Sequence, residues 1–408
     1  MTVLIAGAGI GGLSLALSLH QIGVPCRIFE AVTELRPLGV GINIQPHAIK
    51  ELDALGLLPE LDGIGLRTAG VAYFSSHGAG IWSEPRGLAA GYDWPQFSVH
   101  RGELQMMLLK AVQDRLGPDV ITTGRAVTGW SDDDASVRIG LTDGSEVTGD
   151  VFVAADGIHS AARAMLFPDE GPPIWNGILM RRGTAWAPDF LGGRTMAMAG
   201  CKSRKFVCYP IAEDGDRVLI NWIADLAMPV EGGFAPEDYS RQGSAEDLLP
   251  DFGTWDFDWL DIPSVIRGSQ AIYEWPMVDR DPLPKWTHGR MTLLGDAAHP
   301  MYPIGSNGAS QAILDARTLA REIRDKGTTP AALDAYEKAR LPATSAIVLA
   351  NRGDGPDKVL DIVEDRAPDG FARLDDVISV QELQEIAAAY KTTAGMDIQA
   401  LNTTPSIL

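Results

Sequence analysis

The chain is poor in the residues that build covalent or metal frameworks. Its 408 residues include three cysteines, Cys26, Cys201 and Cys208, with no Cys-x-x-Cys pair. Such an odd set argues against a disulfide scaffold or a zinc site. The seven histidines form no His-x-x-x-His pair, so no metal is expected. Basic charge is scarce: 34 Lys and Arg stand against 54 Asp and Glu, a net charge of −20. That surface repels phosphate backbones and anionic membranes, so no nucleic-acid partner is expected. No window approaches an uninterrupted membrane span. The nearest, "VLIAGAGIGGLSLALSL" at 3–19, has the length of a signal-peptide core. However, no Lys or Arg precedes it, and its glycines weaken a helix. No Ser-His-Asp arrangement or usefully spaced pair of acids emerges. A reduced, cytoplasmic, soluble chain of ordinary apolar content (45%) is expected, long enough for two domains.

What is present begins at the N-terminus. "TVLIAG" reads as a buried parallel strand. Gly7, Gly9 and Gly12 follow in G-x-G-x-x-G spacing around Ile10 and Gly11, a helix ends near Gly23, and "PCRIFE" forms a second strand closing on Glu30 and Ala31. Gly7 permits the tight turn, Gly9 lets the backbone approach a pyrophosphate, and Gly12 lets helix and strand pack closely. The helix N-terminus offers free N–H groups to phosphate, and Glu30 can accept from a ribose hydroxyl. Strand, helix and acid together predict a dinucleotide site. NAD and FAD both satisfy it, and no second G-x-G-x-x-G occurs.

Two further apolar strands end in an acid: "VTGDVFVAADGIHSAAR" at 147–163, with Asp156-Gly157, and "RMTLLGD", closing on Asp296. The second runs into "AAHPMYPIGSNGASQAILDA", whose residues are too small-sided to pack a core. Loops at the carboxyl ends of parallel strands are where such sheets bind ligands. Arg36, before a glycine-rich loop running to Gly41, and Arg101, opening a helix, are site candidates for which a solvated surface charge is the competing reading.

These motifs in this order resemble the FAD-dependent aromatic hydroxylases of the para-hydroxybenzoate hydroxylase type, over nearly all of residues 1–350. "RPLGVGINIQP", "WSEPRG", "HRGELQM", "WPMVDRDPLP" and "NGASQAILD" place the chain closest to the methylphenazine-carboxylate monooxygenase branch. The resemblance implies an α/β fold: a Rossmann-like FAD-binding domain with a parallel sheet (1–70, 98–172 and 286–350) plus an antiparallel β-sheet substrate domain (71–97 and 173–285). Residues 351–408 would form a C-terminal helical segment and tail. The implied activity is hydroxylation of an aromatic or heteroaromatic acid, with decarboxylation left open, through a flavin hydroperoxide. NADH or NADPH would be the transient reductant, O2 the co-substrate, and a homodimer remains open.

The same resemblance implies residue roles. Asp296 would bond ribityl or ribose hydroxyls of FAD, and Pro303 with Gly305, Asn307, Gly308 and Ala309 would lie beside the isoalloxazine. Glu30 would hold the adenosine ribose, Arg101 the pyrophosphate side, and the Val127 backbone the adenine. Arg36 and Gly41 would sit near the flavin, and Asp156-Gly157 would contact FAD and nicotinamide. The catalytic work would be the cofactor's, with His299 fixing the loop. The chain departs from the wider family, which has a Gly-Gly pair and an Asn where Ser306-Asn307 and Ser310 stand here; the phenazine-type branch tolerates this.

Between the acid-ended strands, β-rich segments such as "KFVCYPIA" and "RVLINWIAD" predict a meander lining an apolar substrate pocket. Phe206 is expected to face that pocket, with Tyr209 as the second choice and plain sheet packing as the competing reading for both. Arg181, at a position where the phenazine branch tends to carry tryptophan, could pair with a substrate carboxylate; a sheet-surface arginine is the competing reading. "WDFDWLDIP" at 255–263 superficially resembles a flavin-dependent halogenase motif without meeting its pattern. A saturating reductase and a non-enzymatic escort protein would each fit the same fold and compete with the hydroxylase. At the C-terminus, 328–352 reads as two helices broken at Pro342, 353–375 as linker, and "LNTTPSIL" as a loose tail.

Overall fold

The computed structural model describes residues 1–229 and 241–408; the stretch 230–240 of the expected substrate domain lies outside the described residues. Val3–Ala6 and Val151–Ala154 are wholly buried runs of apolar residues, the composition of a parallel strand covered on both faces. They form the centre of a five-stranded parallel sheet. Its order is Met291–Leu293, Val151–Ala154, Val3–Ala6, Cys26–Phe29 and Ile121–Thr122. The order reverses at Val3–Ala6, so a crevice opens beyond its carboxyl end. The Ile10–Gln21 helix packs against Arg101–Leu116 and Gly308–Lys326.

An eight-stranded sheet stands over this crevice. In order, its strands are Gln242–Gly243, Ile272–Asp279, Ile174–Pro188, Arg217–Ala227, Arg204–Asp214, Thr195–Cys201, Gly70–Phe74 and Gly80–Pro85. All pairings are antiparallel except Thr195–Cys201 with Gly70–Phe74, so the sheet is mixed where pure antiparallel pairing is the expectation. Both faces are covered. One carries Met180, Met196, Met198, Val207, Tyr209 and Ile223, the other Phe206, Cys208, Trp222, Phe252 and Trp255.

Three expectations about the C-terminus are corrected. Pro330–Arg352 is one helix running through Pro342. Pro342 lies on an exposed side, where the amide bond it forfeits leaves a carbonyl that water can satisfy. The expected linker contains the Lys358–Arg366 helix. The tail is docked: Lys50 Nζ donates to the Leu401 carbonyl at 2.7 Å and to that of Thr404, and Ile407 N–H donates to Glu51 Oε1 at 3.0 Å.

Phe206 is fully buried against Trp222 and Phe252, at ring distances of 5.8 and 5.9 Å. Phe206→Ala should therefore destabilise the fold by about 3–5 kcal/mol. Urea unfolding measures that loss, while the KM of the folded fraction should hardly change; a large KM change at unaltered stability would contradict this placement.

Candidate active site

The parallel sheet delivers three loops to one place. Ala6 leads to Gly7, whose φ of +95° and close approach to the Ala155 carbonyl leave no room for a side chain. A Cβ on Gly12 would overlap the Gly7 carbonyl oxygen, whereas one on Gly9 meets nothing within 4 Å. Gly7 and Gly12 are thus required by packing alone, and Gly9 only by whatever fills the space before it. Glu30 accepts from Ala8 N–H at 2.7 Å and Val32 N–H at 3.0 Å, tying the second strand to the turn.

The Gly295–Ala298 loop is held by buried charge. Asp315, with no exposed surface, accepts from Gly295 N–H at 3.1 Å and Arg340 Nε at 2.6 Å, and pairs with His299 Nε2 at 2.5 Å. Burial alone would raise the Asp315 pKa, but His299 and Arg340 outweigh it and hold it at about 2. Arg163, from the Asp-Gly segment, donates to the Ala297 and Ala298 carbonyls at 3.1 and 2.9 Å. Ser160 caps that short helix, accepting from Arg163 N–H at 3.0 Å.

Between the two sheets lies a cavity of about 350 Å³. At one end are Gly9, Ile10, Gly11, Arg101, Gly157 and Asp296, and along one side Pro303 through Ala309. The N-termini of two helices, Ile10–Gln21 and Gly308–Lys326, open there without side-chain caps, leaving N–H groups and positive dipole ends for an anion. Asp296 lies among protein groups on the cavity wall, and its side chain is exposed to the cavity. Burial raises its pKa, and His299 and Arg101 oppose the rise. A carboxylate presented to a cavity in this way suits a ligand that brings hydroxyl donors. Uncapped amides for phosphate, a carboxylate for hydroxyls and bare backbone beside a flat space together fit FAD.

The far end belongs to the eight-stranded sheet. Met180, Met196, Met198 and Met277 line it with Val207, Tyr209 and Ile223, joined by Arg182, Lys205 and Asp225. Lys205 Nζ lies 2.7 Å from Asp357 and 3.4 Å from Asp225. Burial disfavours its charge, but the two carboxylates more than compensate and raise its pKa. Tyr209 donates to the Gly41 carbonyl at 2.7 Å, and burial pushes its pKa up to about 12.

Several expected residues fall elsewhere. Arg181 faces away from the cavity and pairs with Glu274 at 2.6 Å; its neighbour Arg182 faces in. Phe206 lies behind the sheet, and Val207 and Tyr209 face in. Both corrections are the same one-residue reversal of strand pleat. Arg36 is a surface residue paired with Glu34. Gly41 lies against Asn221 and receives Tyr209 and Arg182, and Ala31 and Val127 are outside the cavity wall. Asp156 supports the loop, accepting from Ala161 N–H at 3.0 Å. The Asn307 side chain is buried against Tyr390. Sequence reasoning missed Arg182, Lys205, Asp225 and the methionines. Polar residues inside otherwise apolar strands were the available signal. The tryptophans of 255–263 pack behind the sheet with Phe74 and Phe252 and give the cavity nothing. Among the described residues no acid, His or Cys cluster could hold a metal, and no helix is long and apolar enough to cross a membrane.

A strand-order reversal, a glycine turn and an anion-ready crevice under a second sheet define a dinucleotide-binding flavoprotein. Residues 1–351 match the FAD binding domain family, and the chain belongs to it. It is 46% identical over 364 residues to phenazine 1,6-dicarboxylic acid hydroxylase PhzS of Lysobacter antibioticus, covering 86% of this chain and 89% of that protein. Aurachin C monooxygenase/isomerase of Stigmatella aurantiaca is 34% identical, covering 85% and 87%. The crystal structure of Klebsiella pneumoniae HpxO with FAD and uric acid superposes with a TM-score of 0.75 at 25% identity, covering 99% and 97%. The protein is an FAD-dependent monooxygenase of the aromatic hydroxylase type, with NAD(P)H as reductant.

The glycine turn and the buried cluster can each be tested alone. Gly9→Ala should leave the apoprotein's thermal midpoint in place while weakening FAD binding, and Gly12→Ala should lose both; fluorescence titration with FAD and a melting curve read them. The Asp315 carboxylate has a folded pKa below its ordinary 3.8, so its stabilisation is complete above that value and is lost as pH falls towards 2. Asp315→Asn should flatten the decline of the urea midpoint between about pH 4 and pH 2; an unchanged slope would count against the His299–Asp315–Arg340 cluster.

Proposed function

We propose that the substrate is a planar, fused-ring N-heteroaromatic carboxylic acid of the phenazine type, and that Arg182 receives its carboxylate. The carrying observation is the state of Arg182. It lines an otherwise methionine-rich wall, donates to the Gly41 carbonyl at 3.0 Å and lies over the Trp275 ring at 5.6 Å. No carboxylate among the described residues stands within ion-pair distance of it. Burial lowers its pKa, with Tyr209 and Asp225 opposing, so a bound anion would relieve a desolvated charge. Thioethers suit flat aromatic faces. The name of the Lysobacter relative, a phenazine dicarboxylic acid hydroxylase, supports the class.

In this reading Gly9–Gly12 and Arg101 would hold the FAD pyrophosphate, Glu30 its ribose, Asp296 its ribityl chain and Pro303–Ala309 its ring. Bound there, it supplies electron transfer from NAD(P)H and activation of O2. The chain's part is to orient the acid through Arg182, to exclude water with the methionine wall, and to present backbone N–H groups to the ring.

Anaerobic reduction of the bound flavin by NADH or NADPH, with and without phenazine-1-carboxylate, tests the reading. Reduction accelerated by the acid supports it; a rate indifferent to the acid overturns the substrate class. Arg182→Met should lower kcat/KM for the acid about 10- to 100-fold while sparing turnover of unsubstituted phenazine. Product mass separates simple hydroxylation from loss of CO2.

A further inference from the structure

The family match ends at residue 351, yet the segment beyond it reaches the cavity wall at Asp357 and backs one of its loops at Tyr390. Asp357 joins the wall through Lys205. Tyr390, on the Val380–Thr393 helix, stands behind the Pro303–Gly308 loop. Gly305 has a φ of +69°, and a Cβ there would collide with the Tyr390 hydroxyl. That hydroxyl lies 3.2 Å from the Ile304 carbonyl oxygen and 3.0 Å from Asn351 Oδ1, between which it shares its proton, and it accepts from Asn307 Nδ2 at 2.9 Å. Asn351 in turn donates to the Tyr302 carbonyl at 2.9 Å.

In a trans peptide, C=O and N–H point in opposite directions. A carbonyl of Ile304 drawn back onto Tyr390 therefore turns the Gly305 N–H the other way, away from Tyr390, in a loop that lines the cavity. We propose that Tyr390 is a positioning residue for the cofactor, fixing the Ile304–Gly305 peptide so that Gly305 N–H is presented to the flavin ring. The proposal rests on the reading that the ring lies against this loop. A donor held there favours electron density on the ring, so it stabilises the reduced flavin over the oxidised.

Tyr390→Phe keeps the ring and removes the hydroxyl. In the full-length protein it should bind FAD about tenfold more weakly, the worth of one or two hydrogen bonds. The bound flavin's reduction potential, read by dye equilibration, should become more negative and its visible spectrum should shift. Lys391→Met, on the same helix, breaks that helix's partly buried pair with Glu84 of the Gly80–Pro85 strand at 2.6 Å and should change neither. The proposal is overturned if Tyr390→Phe leaves affinity, spectrum and potential as they were, or if Lys391→Met shifts them equally, since helix docking alone would then be responsible. Asp296→Asn separates the two levels. If it weakens FAD and Tyr390→Phe does nothing, the tyrosine's role falls alone. If neither variant moves, the placement of the flavin falls with it.

Discussion

The architecture of the cavity depends on a carboxylate that never meets solvent. Asp315 sits on the Gly308–Lys326 helix and takes hydrogen bonds from a strand-end loop and from the Pro330–Arg352 helix. A buried anion is costly unless its lone pairs are filled, and here Gly295, His299 and Arg340 fill them. The arrangement has one solution in space, so the Gly-Asp loop can leave Asp296 facing the cavity without collapsing onto it. Arg163 closes the loop from the other side. The cofactor end is thus held by buried charges that pair with one another and with the backbone of the loop they fix.

The cofactor end is also the more legible in the sequence, because backbone geometry there dictates residue type. Gly7 and Gly12 meet a carbonyl where a side chain would stand, and the acids at 156 and 296 end strands in an otherwise apolar run. These constraints are local and leave a mark in spacing. The substrate end leaves none of that kind. In Arg204–Asp214, Phe206, Val207, Cys208 and Tyr209 are all buried, since both faces of the sheet are covered. Alternation of apolar with polar residues, which normally fixes the pleat, is missing, and with it the cue that would turn Phe206 away from the pocket. Arg181 and Arg182 present the same ambiguity with identical side chains.

The C-terminal region misleads for a different reason. Pro342 and the Gly/Pro-rich stretch after it are local signals of interruption, yet long-range packing overrides them. Tyr390 lies in a segment whose pattern says only "helix", and its significance comes from a contact with Gly305 far back in the chain. No local rule reaches that distance.

The methionine wall has a consequence for durability. Thioethers are the most easily oxidised lining a protein can give a pocket, short of thiols, and Met180, Met196, Met198, Met277 and Met301 line the cavity in which, on the proposed reading, oxygen would be activated. Oxygen lost to a methionine would yield a polar sulfoxide where the lining otherwise offers a soft thioether. A filled pocket intercepts that oxygen first. On that reading each idle turnover would age the enzyme, and substrate would act as its preservative.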